Sequence, residues 1–132
     1  QGEEVMMNDP SLLRAETIFS HLSREAQVFV ITAKGKLLGH LTRGLAAGSC
    51  GFAVEHAATP ETARALGECG VQPPATWMPE APGVYDAACS LWLIEAGKRL
   101  LDTRHHSDAR TVAYLSTTDY LQHKHGPDAP EA

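Results

Sequence analysis

Aromatic side chains are scarce: three Phe, two Trp and three Tyr make up 6% of 132 residues. A core built from this chain therefore rests mostly on Leu, Val, Ile and Ala. No apolar run approaches the roughly 18 residues of a membrane-spanning helix. The N-terminus lacks the basic, apolar, small-residue order of a signal peptide, so a cytoplasmic location away from membrane is expected. Gln1-Gly2 has the look of a tag-cleavage scar and is left out of fold reasoning. Cys50, Cys69 and Cys89 form an odd set in no metal-ligand spacing, which favours reduced, packed thiols over a disulfide framework. There is no dinucleotide fingerprint, P-loop, zinc finger, EF-hand or helical H-x-x-x-H pair, so no cofactor is expected.

The charge is unevenly placed. The net charge is −5, and Glu3, Glu4, Asp9, Asp128 and Glu131 at the two ends account for all of it. Between them the body is neutral, with 11 acids and 11 bases. Residues 10–43 hold five bases against two acids, residues 44–97 one base against six acids, and residues 98–125 five bases against three acids. A neutral body with basic segments leaves room for a small anionic ligand, and nucleic acid is not expected.

Asp9-Pro10 opens a helix expected over residues 10–24, with Leu12, Ala15, Phe19 and Leu22 at helical spacing. Residues 27–33, Q-V-F-V-I-T-A, form a strand buried on both faces. Lys34-Gly35-Lys36 suits a tight turn and residues 37–42 a returning strand, so a hairpin is expected. Residues 52–56 suit a third strand. Thr59-Pro60-Glu61 opens a short helix that Gly67 or Gly70 ends. Residues 72–83 carry four of the eight prolines, which points to an ordered crossing loop with Trp77 packed down. Residues 84–104 favour one long helix over a hairpin, because Ala, Leu and Glu dominate a long run. Residues 110–116 suit a final strand, and Thr118-Asp119 caps a last short helix. The expected fold is α+β. A small single-layer antiparallel or mixed sheet packs on an N-terminal helix and a long central helix, in one domain over residues 1–132. Residues 1–9 and 126–132 are expected to be frayed tails.

Four sets of residues have chemistry to offer. Cys50 sits in Gly48-Ser49-Cys50-Gly51, where a glycine-permitted turn can expose a nucleophile, with His40 and His56 nearby as bases. His105, His106, His123 and His125 lie among Asp102, Asp108 and Asp119, a donor mixture that suits zinc, nickel or iron. His123 and His125 diverge by about 200° if that segment is helical, which weakens them as a chelating pair. Arg43, Lys98, Arg99, Arg104 and Arg110 are candidate anion ligands, with Asp102 and Asp108 as competing salt-bridge partners. Glu95 follows the apolar run 91–94, where burial would raise its pKa toward acid–base use. A helix would instead pair it with Arg99 at i+4.

The absence of a catalytic constellation favours a binding or protein-interaction module, with Trp77 and Met78 as contact residues and a homodimer or another protein as partner. The alternative is a small enzyme or ligand-pocket protein using Glu95, Tyr85, His40, Arg99 or Cys50. A regulatory factor is the third possibility.

Overall fold

The computed structural model describes residues 9–104 and 109–126. Strand β1 (Gln27–Thr32) carries five consecutive buried residues from Val28 to Thr32. Buried on both faces, such a strand has to sit in the middle of a sheet with helices above and below. It does so here. The order is β2-β1-β3, with β2 at Cys50–Ala53 and β3 at Thr111–Ser116. Both pairings are parallel: Phe29 lies opposite Cys50 and Ala113, and Thr32 opposite Ala53 and Ser116.

This overturns the antiparallel or mixed sheet and makes the fold α/β. The hairpin is where the expectation fails. Residues 37–42 are not a returning strand; Gly35–Leu41 form helix α2. The run K-L-L-G-H-L satisfies both periodicities over so short a length, and local pattern cannot arbitrate between them. A two-face-buried strand could have arbitrated, because a hairpin at the edge of a small sheet leaves one face wet.

Helices cover both faces. Val28 and Val30 point toward α1 (Ile18–Leu22) and α2, while Phe29 and Ile31 join the main core. That core holds Phe52, Leu66 of α3 (Pro60–Glu68), and Cys89, Trp92, Leu93, Ala96 and Leu100 of α4 (Ala88–Arg104). The long helix expected over residues 84–104 is thus α4, starting four residues later. Burying each large aliphatic or aromatic side chain here contributes about 1.5–3 kcal/mol before entropy is counted. Helix α4 lies close on β3: a Cβ at Gly97 would stand 2.7 Å from Leu115 Cδ2.

The N-terminal helix is shorter than expected. A 3-10 turn, Pro10–Leu12, is followed by extended chain before α1. Thr17 caps α1 through its hydroxyl, which accepts from Ser20 N–H at 3.0 Å. Arg43 donates to the carbonyls of Pro10 and Leu13 and holds the intervening turn. The third strand ends at Ala53, and Val54–His56 form a 3-10 turn. Helix α5 (Tyr120–His125) follows β3. No described helix is long and apolar enough to cross a membrane.

The topology has one consequence for function. From β1 the chain runs through α2 to β2 on one side, then back through α3 and α4 to β3 on the other. The loops leaving β1 and β3 therefore part company at the carboxyl ends of adjacent strands. In open parallel sheets this reversal opens the crevice where ligands bind.

Candidate functional site at the β1/β3 switch point

A cavity of about 380 Å³ occupies that position. Its floor is the paired strand ends Thr32 and Ser116. One lip is Ala33, Lys34 and Leu37; the other is Thr117, Thr118 and Asp119. Thr32, Ser116, Thr117 and Thr118 are among its lining residues, and Lys34 brings a positive charge.

Each lip is held by local bonds. Thr32 Oγ1 donates to Lys34 O at 2.9 Å, folding the chain sharply after β1. Lys34 Nζ stands 5.2 Å from the centroid of the Tyr85 ring, which itself packs 5.2 Å from Tyr120. A cation over an aromatic face is held without being neutralised. On the other lip, Thr118 Oγ1 accepts from Tyr120 N–H at 3.3 Å, and Ser90 Oγ of α4 donates to Thr118 O at 3.4 Å.

Asp119 does not cap α5 with its side chain. Its Oδ2 lies 3.0 Å from His123 Nε2, one helical turn on. Both side chains are open to solvent, at 74% and 77% exposure. An oxygen and a nitrogen donor converging from one helix face supply two of the ligands a first-row divalent cation takes. Among the described residues no group of three such side chains gathers, so further donors would have to come from elsewhere.

Most of the residues singled out from the sequence lie away from this cavity. Cys50 begins β2, at the opposite end of the sheet from the cavity, and is only 7% exposed. His40 is half-buried on α2. Glu95 is at the surface of α4 and bonds Arg99 Nε at 2.9 Å, with Lys98 Nζ at 4.0 Å. The Arg99 hydrogen bond, aided by the Lys98 and Arg99 charges, holds the Glu95 carboxyl below its usual range, the reverse of what burial would do. Arg99 also donates to Trp77 O. Arg110 precedes β3, and its carbonyl accepts from Gln27 N–H at 2.8 Å. Arg43 is spent on Pro10 and Leu13. The Arg104 side chain and residues His105 and His106 lie outside what the structure describes. Met78 is buried, and Trp77 is half-buried with its Nε1 donating to Gln72 O at 3.0 Å. His125 shares α5 with His123, at the diverging spacing.

Lys34 escaped notice as a site residue, whereas Asp119 and His123 stood among the candidate metal donors without being singled out as a pair. The available signal was a carboxylate four residues before an imidazole, three residues past the end of one strand, and a lysine two residues past the end of another.

The fold and cavity define a parallel α/β unit with a crevice at its switch point. No protein-family model matches the chain. Among solved structures it is similar to phosphonoacetate hydrolase from Sinorhizobium meliloti 1021. In the complex of that enzyme with phosphonoformate the identity is 41%, at a TM-score of 0.74. In its complex with phosphonoacetate the identity is 40%, at a TM-score of 0.73. Each match covers 98% of this chain and 31% of that one, so the chain spans about a third of the enzyme it resembles.

Proposed function

We propose that this chain supplies a phosphonate-binding crevice of a hydrolase acting on small carboxylated phosphonates. The observation that carries the reading is the switch-point cavity, with Lys34 on one lip and Asp119, itself paired with His123, on the other. The 41% identity to an enzyme crystallised with phosphonoformate supports it and favours the pocket alternative over an interaction module.

The roles follow from charge. Lys34 meets an anionic oxygen of the ligand with a charge-assisted hydrogen bond. The hydroxyls of Ser116, Thr117 and Thr118 are the neutral partners at hand for its remaining oxygens. Asp119 and His123 would hold a divalent cation, which when bound polarises phosphorus–oxygen bonds as a Lewis acid. Without a cation the same pair can pass a proton between imidazole and solvent. In the overall hydrolysis of phosphonoacetate, water oxygen goes to phosphorus, the P–C bond breaks, and the carbon takes a proton to give acetate and phosphate.

Calorimetric titration with phosphonoacetate, phosphonoformate and acetate tests the reading. Both phosphonates should bind and acetate should not. Lys34→Ala should weaken phosphonoacetate about tenfold, equivalent to ~1.4 kcal/mol. No phosphonate binding, or binding indifferent to Lys34→Ala, would refute it.

A further inference from the structure

Helix α2 begins beside the cavity, and its cap residue, Lys34, makes no side-chain capping bond of its own. The free amide at Gly35 donates instead to the Glu55 carboxylate, which reaches over from the 3-10 turn after β2. Glu55 N–H in turn donates to Ala33 O at 3.4 Å. With Thr32 Oγ1 on the Lys34 carbonyl, the backbone is tied just before, at and just after the lysine. The fit at the corner is tight. A Cβ on Gly35 would stand 2.9 Å from Glu55 Oε1 and 2.7 Å from His56 Cε1, so only glycine lets the carboxylate come so near. The Glu55 side chain is 32% exposed, with His56 Nε2 3.8 Å from its Oε1.

We infer that Glu55 is a positioning residue for Lys34: it braces the β1–α2 corner so that the ammonium group stands ready at the cavity before an anion arrives. This rests on the phosphonate-binding reading above. Its physical basis is preorganisation, since a lysine on a fixed backbone loses less freedom on binding. Glu55 carries a negative charge and cannot attract the ligand itself. Its contribution therefore runs through Lys34 alone, and that sets the test.

Phosphonoacetate is titrated calorimetrically into the wild type, Lys34→Ala, Glu55→Ala, the double variant and Glu55→Gln. Glu55→Ala should weaken binding about fivefold, the order expected for one lost preorganising hydrogen bond. In the Lys34→Ala background the same change should have no further effect, as expected for residues that act as a unit. Glu55→Gln keeps an acceptor for Gly35 N–H and should retain wild-type affinity or better. Tighter binding by Glu55→Ala would mean that the carboxylate merely repels the anion, and would overturn the inference. An equal loss in both backgrounds would also overturn it, by showing a general structural role. If Glu55→Ala fails to fold, Gly35→Ala breaks the contact from the other side: a similar loss supports the brace and unchanged affinity overturns it. A Lys34-dependent site indifferent to Glu55 removes the inference alone. A wild type that binds no phosphonate removes the functional reading and the inference with it.

Discussion

Two helices of this protein carry the same device, an acid and a base one turn apart. On α4, Glu95 meets Arg99 at 2.9 Å; on α5, Asp119 meets His123 at 3.0 Å. Geometry alone does not tell them apart, but position does. Helix α4 lies across the sheet with its inner side in the core, and its pair lies on its outer surface, where Arg99 also clamps the Trp77 carbonyl. Helix α5 follows the carboxyl end of β3, and the Asp119 member of its pair lines the switch-point cavity. A pair on the flank of a packed helix stiffens a surface. The same pair at the end of a parallel strand faces whatever binds there.

The sharpest way to separate the helices is to damage each where it matters. Leu93→Ala removes a fully buried α4 side chain and should cost about 2–5 kcal/mol of unfolding free energy. Leu91→Ala on the 72% exposed side should stay within ~0.5 kcal/mol. Denaturant titration reads both. The reverse is expected on α5. His123→Ala should leave stability within ~0.5 kcal/mol, yet abolish any increase in phosphonoacetate affinity that zinc chloride gives the wild type. A zinc effect that survives His123→Ala would remove the distinction between the two pairs.

Arg99→Ala is a milder probe. It should cost roughly 0.5–1 kcal/mol through the lost pair and carbonyl bond, since both partners are partly screened by solvent. Phosphonoacetate affinity should not change; a fall would move the anion site to α4. The smallest effect is a pH dependence. The Glu95 carboxyl titrates below its usual range because of Arg99, so its contribution is present above roughly pH 4.3 and disappears as pH falls through the folded value. Melting curves of wild type and Glu95→Gln should differ slightly at pH 6, and the difference should shrink as the solution is acidified.

Much of the element list was legible in the sequence, because strongly periodic or β-branched runs announce themselves. Thr59-Pro60 starts α3, Thr111–Ser116 is a strand, and residues 84–104 hold one long helix. What was not legible was the partner of β1. Pairing is a property of distant segments, and the ambiguous run after Gly35 offered a nearby answer that was wrong. The site as a whole went unseen for the same reason, although Asp119 and His123 stood among the candidate metal donors. Lys34 and Asp119 are ordinary residues until Thr32 pairs with Ser116 and brings their loops together. Arginine density and the Cys50 glycines, by contrast, were conspicuous in sequence, and the fold disperses the first and packs the second away from the cavity.

The central strand also sets the order in which the molecule can assemble. Gln27 pairs with Thr111, and 83 residues lie between them. Neither long-range partner is local, so sheet formation has to close large loops before any ladder bond rewards it. A nascent chain therefore carries the apolar run Val28–Ile31 with one edge unsatisfied until β3 has been synthesised. During that interval the edge is open to other chains, and expression at lower temperature or with a chaperone should raise the soluble yield.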